Sequence, residues 1–265
     1  MNRCGLVVTT YARADSLARV LDSVAAQTAP PDELLVAEDG TDAATAAAVA
    51  RHSARARYPV HHLTQPHEGY RLARSRNAAI ARSESDYLVM IDGDMVLHPE
   101  FLADHRALAR PGYWTQGVRI LLDGAATRRI LDGAAPPRPW SSGLGFVRRS
   151  YAVRAALLAR GLRNVANGVV AVKGCNQGFW RSDLLAANGF DEGITGWGSE
   201  DKELCARLVN AGVRRQTMLF AAVAWHLDHP PASRERAGVN RERWQDSARS
   251  GRTQCEAGVD RHLMK

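Results

Sequence analysis

Tyr87-Leu88-Val89-Met90-Ile91-Asp92-Gly93-Asp94 is the stretch on which the fold turns. Five consecutive apolar residues are the pattern of a strand covered on both faces. The run ends in two carboxylates separated by a glycine, which lets the backbone turn so that both acids can face one ligand. Two hard oxygen donors at that spacing suit Mg2+ or Mn2+ shared with a diphosphate. An ordinary polar turn after a strand is the alternative the residues leave open.

Working outward, strand and helix patterns alternate through the first hundred residues. Gly5 to Val8 reads as a short buried strand. From Asp15, which is available as a cap, Leu17, Val20, Leu21 and Val24 recur at helical spacing until Pro30-Pro31. Leu34 to Ala37 is the second strand and runs into Glu38-Asp39-Gly40-Thr41. An alanine-rich helix to about Ala54, a strand from Val60 to Leu63 and a helix from Tyr70 to Arg82 complete the half. This alternation predicts an α/β fold with a mostly parallel central sheet flanked by helices. Ligand groups belong at the carboxyl ends of its strands, where Asp39 and Asp92 sit. Beyond Pro99 the pattern loosens. Residues 123–145 read as a long loop, with helices around Ser150 to Arg160 and from Ser199 to Gly212, and a strand from Leu219 to Ala224. The residues after Pro231 read as a surface helix or a mobile tail.

The chain has 265 residues with 35 basic and 28 acidic side chains, a net charge of +7, and is 45% hydrophobic. That composition supports a sizeable core and excludes wholesale disorder. All cations but Lys173, Lys202 and Lys265 are arginines. The four cysteines show neither zinc-knuckle nor disulfide-scaffold spacing, so they read as thiols of a reducing compartment. The longest apolar runs, such as Met218 to Trp225, fall short of the roughly 18 residues that span a bilayer. The first apolar run ends at Val8, too soon for a signal peptide. The expected location is the cytoplasm.

Four further features could carry chemistry. A carboxylate at Asp39 could accept hydrogen bonds from a base or ribose hydroxyl, although Asp-Gly is also common turn chemistry. Arg71, Arg74, Arg76 and Asn77 form a cationic stretch that could face a diphosphate or simply solvent. In Gly196-Trp197-Gly198-Ser199-Glu200-Asp201 the glycines open the backbone, the indole offers a flat face to a sugar ring, and two acids enter the first turn of a helix. Capping by Ser199 explains the serine and the acids, but not a tryptophan between two glycines. His226 could donate a ring nitrogen to a metal, and His229 adds little to it. No Ser-His-Asp order, Walker loop or Gly-x-Gly-x-x-Gly is present.

Taken in order, these segments resemble an inverting nucleotide-sugar glycosyltransferase of family 2, with the GT-A fold. The resemblance is to bacterial chondroitin-polymerase-like enzymes and to the C-terminal motif of β-1,4-galactosyltransferases. It rests on Val7 to Arg13, Glu38-Asp39-Gly40, Gly69 to Leu72, Arg76-Asn77, Ile91 to Met95, Gly174 to Phe179, Gly189 to Glu192, Gly196 to Asp201, and His226. The family's usual Asp-Asp-Gly-Ser is Glu38-Asp39-Gly40-Thr41 here, and Leu121 to Arg149 matches nothing specific.

The resemblance implies roles. Thr9, Tyr11, Arg13, Asp39 and Arg76 line the nucleotide site, with Asp39 on the uracil, and Asp92 contacts the ribose or the metal shell. Asp94 and His226 hold the divalent cation, Mn2+ or Mg2+. Glu200 holds the sugars, Asp201 is the general base, and Trp197 with Gly198 packs on donor or acceptor sugar. It further implies one domain over 1–230, with a nucleotide-sugar half (1–97), an acceptor and catalytic half (98–230) and an Arg-rich tail (231–265). The expected partners are a UDP-sugar donor and a saccharide or lipid-linked saccharide acceptor, as in cell-surface glycan synthesis. A nucleotidyltransferase acting on a sugar phosphate is the competing enzyme class, and a basic nucleic-acid binder the competing non-enzyme. Against the latter, Asp39, Asp92, Asp94, Glu200 and Asp201 at the mouth repel a polyanion unless a metal is bound, so no nucleic acid is expected as partner. Nine arginines between Arg119 and Arg163, against Asp123 and Asp132, match the whole charge excess. That segment is expected to face an anionic acceptor or the anionic inner face of the membrane.

Overall fold

The computed structural model describes residues 3–139, 152–162, 164–166, 169 and 171–263. Its first half alternates as the sequence predicts: β1 (Cys4–Thr10), α1 (Ala14–Ala25), β2 (Glu33–Glu38), α2 (Ala43–Ser53), β3 (Val60–Thr64), α3 (Leu72–Arg82) and β4 (Tyr87–Asp92). The second half adds β5 (Met95–Leu97), α4 (Phe101–Leu108), β6 (Tyr113–Gln116), β7 (Ile120–Leu121), α5 (Gly124–Leu131), α6 (Ala156–Gly161) and β8 (Asn164–Ala166). It continues through β9 (Asn176–Trp180), α7 (Arg181–Ala186), α8 (Glu200–Asn210), β10 (Arg214–Thr217), β11 (Ala224–His226) and α9 (Ala237–Ser250), and ends in a 3-10 turn, Val259–Arg261.

Eight strands form one sheet in the order β3-β2-β1-β4-β9-β6-β10-β8, and β5-β11-β7 form a small second sheet. In the large sheet all strands but β9 and β8 run the same way. The fold is therefore α/β with a largely parallel central sheet flanked by helices, consistent with GT-A.

Residue parity along the strands builds both faces. Leu6, Val8, Leu34, Val36, Tyr87, Val89 and Ile91 join the core under α1 with Leu17, Val20, Leu21 and Val24. Their alternate neighbours Val7, Leu35, Ala37, Leu88 and Met90 join the opposite core with Ala73 and Ile80 of α3 and Leu204 and Leu208 of α8. Each such side chain, fully buried, contributes roughly 1.5–3 kcal/mol. The chain moves from β1 outward to β2 and β3, then returns to the other side of β1 as β4. The crevice at that reversal, beyond the carboxyl ends of β1 and β4, is where such sheets bind ligands.

Several local expectations need correction. Asp15 does not cap α1; Arg13 occupies the cap position, and Asp15 instead accepts from the Ser16 N–H at 2.7 Å within the first turn. Residues 123–145 are not wholly a loop: Asp123 accepts from the Ala126 N–H at 2.8 Å and starts α5. The expected strand from Leu219 to Ala224 falls almost wholly in the connection between β10 and β11, where Phe220 and Ala222 are left-handed, and only Ala224 belongs to a strand. Only the end of the helix expected from Ser150 to Arg160 lies in α6, and 150–151 fall outside the described residues. After Pro231, the helical reading holds: α9 packs on α8, with Asn240 and Ser247 buried.

Candidate active site

β1 and β4 pair so that Thr9 lies opposite Asp92. The Gly93 N–H then donates to the Thr9 carbonyl at 2.7 Å, closing the backbones together. A Cβ at Gly93 would meet the Thr10 side chain at 2.9 Å and the Thr9 carbonyl at 3.0 Å, so the turn requires glycine. It sends the two carboxylates to different neighbours. Asp92 Oδ1 accepts from Arg76 Nη2 at 3.1 Å and from Thr9 Oγ1 at 3.3 Å.

Asp94 turns toward two histidines. β5 begins immediately after it and pairs antiparallel with β11, placing His226 opposite Met95. The Leu227 N–H donates to the Asp94 carbonyl at 3.0 Å. Asp94 Oδ1 lies 3.6 Å from His226 Nε2, and Oδ2 lies 3.0 Å from His229 Nε2. The ligand atoms of the three residues all fall within 4.8 Å of one another. His229 Nδ1 lies 2.8 Å from the Pro230 carbonyl. The hydrogen bond from Nε2–H to Asp94 raises the His229 pKa, and a cation would displace that proton and take the Nε2 lone pair while Nδ1–H stays on the carbonyl.

These residues fit a divalent cation. Asp94 Oδ1 is buried with no hydrogen-bond partner, a costly state for a carboxylate oxygen that a cation would relieve. Burial opposes ionisation of Asp94, but the His229 hydrogen bond and the charges of His226, His229 and Arg13 hold its carboxyl below the usual range. Burial in turn depresses His226, which favours the neutral imidazole a metal needs. Two imidazoles beside one carboxylate suit Mn2+ better than Mg2+, which prefers oxygen ligands. Asp92, the other acid expected near the metal, is outside this trio and bound to Arg76.

Across the crevice stands the acidic start of α8. Gly196 and Gly198 take φ of +75° and +101°, so the loop swings out and leaves Trp197 41% exposed. Ser199 does not cap the helix. It is itself left-handed, at φ +73°, and its hydroxyl makes no cap hydrogen bond. That turn brings Glu200 and Asp201 inward, where both are buried. Arg76, 1% exposed, reaches over from α3. Its Nη1 donates to Glu200 Oε1 at 3.3 Å, its Nη2 to Asp92 and the Gly174 carbonyl, and its guanidinium lies 5.1 Å from the Phe190 ring. Burial pushes the Glu200 carboxyl up and the Asp201 charge adds to it, with Arg76 opposing. Burial also raises Asp201, against Arg76 and Lys202. Both groups are thereby made stronger bases than ordinary carboxylates.

At the end of β2, Asp39 is buried and held by two donors: Gln65 Nε2 to Oδ1 at 2.7 Å and the Arg71 N–H to Oδ2 at 2.8 Å. Tyr11, largely exposed, stacks on His67 with ring centroids 4.3 Å apart. Glu38 is occupied by the Asp42 N–H and by His62. The structure thus brings Thr9, Asp92, Arg76 and Glu200 into one hydrogen-bonded group and Asp94 with His226 into another. His229 completes the second group and Gln65 holds Asp39 apart from both; neither was singled out from the sequence. For His229 a signal existed: a second histidine three residues after His226, just past a strand.

This combination of a GT-A sheet, an acidic strand exit with a histidine cluster and an acidic helix start defines the class of protein. Residues 6–113 match the model of "Glycosyl transferase family 2", and residues 164–230 match that of "N-terminal domain of galactosyltransferase". A validoxylamine A glucosyltransferase from Streptomyces hygroscopicus subsp. limoneus is 27% identical over 257 residues, covering 89% of this chain and 53% of that protein. A chondroitin synthase from Escherichia coli is 26% identical over 245 residues, covering 87% and 35%. The chain thus spans about half the length of the first relative and a third of the second. Among solved structures, a mannosyltransferase from Pyrobaculum calidifontis in complex with GDP-Man and Mn2+ superimposes with a TM-score of 0.61 at 18% identity, over 94% of this chain and 63% of that one. Residues 1–349 of S. aureus TarS in complex with UDP give 0.63 at 14% identity, over 98% and 68%. Over these segments the chain is similar to family 2 glycosyltransferases, chondroitin-synthase-like proteins and galactosyltransferase-domain proteins, and its fold is consistent with GT-A.

Proposed function

We propose that this chain transfers a sugar from a UDP-sugar to a hydroxyl of a saccharide acceptor, with inversion and dependence on a divalent cation. The observation that carries the reading is the pairing of two sites in one crevice. On one side is the Asp94–His226–His229 cluster; on the other, the buried Glu200–Asp201 pair, tied to the same β4 exit through Arg76.

An acceptor hydroxyl is a poor nucleophile until a positioned carboxylate takes its proton. Asp201 is the proposed base: burial raises its proton affinity to match that task, and Arg76 partly opposes the rise. Glu200, anchored by the same guanidinium, is proposed to hold sugar hydroxyls, and the exposed Trp197 ring to stack on a sugar face. One base acting opposite the leaving group needs no covalent intermediate, which gives inversion. Asp94 and His226, joined by His229, would hold Mn2+, which when bound offsets charge on a departing diphosphate. Asp39, Thr9, Tyr11, Arg13 and Asp92 are proposed to line the nucleotide, with the lone pairs left on Asp39 meeting the base. Arg76, being buried, acts on the nucleotide through Asp92.

The bound manganese and UDP named for the structural relatives support this choice of cation and nucleotide. A calorimetric panel of UDP, GDP and dTDP with Mn2+ tests the nucleotide. UDP should bind at least roughly tenfold tighter, a difference of about 1.4 kcal/mol; preference for GDP or dTDP would overturn the assignment. Release of pyrophosphate from a nucleoside triphosphate would instead support the nucleotidyltransferase reading.

A further inference from the structure

One well-formed cavity lies outside the catalytic crevice. It has a volume of about 480 Å³ and lies on the outer side of α3, walled by Arg71, Arg74, Glu192, Thr195, Arg261 and His262. A smaller cavity of about 100 Å³ shares Arg74 and His262 with it and reaches Ser75, Gln65 and Glu38. At 100° per residue, Arg71, Arg74 and Ala78 fall on one stripe of α3, and Arg76 points from nearly the opposite side. The catalytic crevice and these cavities are therefore on different sides of one helix.

We propose that the groove is a second ligand site, for a phosphate-bearing anion. Its cations are available: among the described residues, neither Arg74 nor Arg261 makes an ion pair. The acid in the wall is already answered, since Glu192 Oε1 accepts from His262 Nε2 at 2.6 Å and from Asn77 Nδ2 at 2.9 Å. Arg71 is partly engaged, with Glu68 at 2.7 Å. Ser75 supplies the independent sign of a missing partner. It is 3% exposed and lines the smaller cavity, and its hydroxyl has no hydrogen-bond partner. Two guanidinium forks outside any salt bridge, Arg261 with the charges of Glu192 and Asp260 nearby, and an unpaired hydroxyl match the acceptor oxygens of a phosphate.

The groove also abuts the nucleotide end of the crevice. Gln65 and Arg71, which hold the two oxygens of Asp39, line the smaller and the larger cavity respectively. A ligand there would bear on Asp39 without touching the metal cluster.

Titration of the purified chain with inorganic phosphate, followed by calorimetry without added metal, tests the site. Loss of a charge-assisted contact should weaken binding roughly tenfold in Arg74→Ala and again in Arg74→Ala/Arg261→Ala. Ser75→Ala should weaken it less, and Asp94→Ala should leave it unchanged. The conservative Arg74→Lys, which keeps the charge, guards against a folding artefact and should bind better than Arg74→Ala. A parallel titration with glucose 6-phosphate separates the sources: tighter binding through the same arginines assigns the groove to a phosphorylated saccharide, equal binding to free phosphate. Phosphate affinity unchanged in the double variant, or lost in Asp94→Ala, would overturn the proposal.

Discussion

His229 illustrates how one residue changes the chemistry of its neighbours. With it, Asp94 has an imidazole nitrogen within 3.6 Å of each oxygen, and the cluster has three candidate ligands instead of two. His229→Ala should raise the Mn2+ concentration for half-maximal activity by at least the roughly 10–100-fold that loss of an outer-shell partner costs. An unchanged metal requirement would remove His229 from the site. As the proposed base, Asp201 is expected to set the pH behaviour. Its carboxyl is raised by burial, so activity should climb with pH above the ordinary carboxylate range as the base ionises, and Asp201→Asn should abolish that limb. The same shift bears on stability with the opposite sign. A carboxyl whose folded pKa is raised favours the folded state below its unfolded value, and that contribution is lost as pH rises through the folded value. Metal-free Asp201→Asn should therefore melt a few degrees higher than the parent chain at neutral pH. A lower midpoint would contradict the burial argument.

At the scale of elements, α3 is the member that serves both sides of the molecule. Asn77 donates to the Phe190 carbonyl and to Glu192 and accepts from the Phe190 N–H, so it pins the loop that leads to Trp197. Asn77→Ala leaves those buried groups unpaired and should cost about 2–3 kcal/mol in urea unfolding. A loss under 0.5 kcal/mol would show that the loop is held elsewhere. The strands and helices of the first half were legible because β1, β2 and β4 are buried on both faces and carry unbroken apolar runs, while the half-buried edge strand β3 showed only as Val60 to Leu63. α5 was not, because it starts at Gly124 in a stretch rich in glycine and alanine, and its eight residues bury only Ala126, Thr127 and Ile130. The start of α8 misled for another reason. Ser199 has the composition of a cap, but the left-handed turn that exposes Trp197 consumes its conformation. Asp92, Asp94, Glu200 and Asp201 could be read as acids at element ends. Which of them Arg76 would bridge depended on contacts over a hundred residues away.

At the scale of the whole molecule, residues after Pro231 are structural. Ser247 Oγ donates to the buried Glu203 at 2.7 Å, and Asn210 Nδ2 donates to the carbonyls of Ser247 and Arg252 at 2.8 Å each. Removing 231–265 would strip these partners from α8, the helix that carries Glu200 and Asp201. The truncated chain should lose its cooperative thermal transition; a parent-like transition would make the segment dispensable. Charge is the other molecular feature. Arg128 and Arg129 are exposed on α5, whereas Arg154 is engaged by Asp104 at 2.7 Å, and Arg148, Arg149 and Arg163 lie outside the described residues. No helix among the described residues is long and apolar enough to cross a membrane. If the basic segment meets an anionic surface, Arg128→Gln/Arg129→Gln should weaken binding to phosphatidylserine vesicles by about 1 kcal/mol per residue, and equal binding would contradict it.

Metal-dependent sugar transfer is tested most directly by UDP release from a panel of UDP-sugars with a saccharide acceptor mixture, as Mn2+ is titrated in and removed with EDTA. Release should require the cation, fall by at least roughly a hundredfold in Asp201→Asn with donor binding kept, and be lost in Asp94→Ala. Release that survives EDTA and is undiminished in both variants would contradict it.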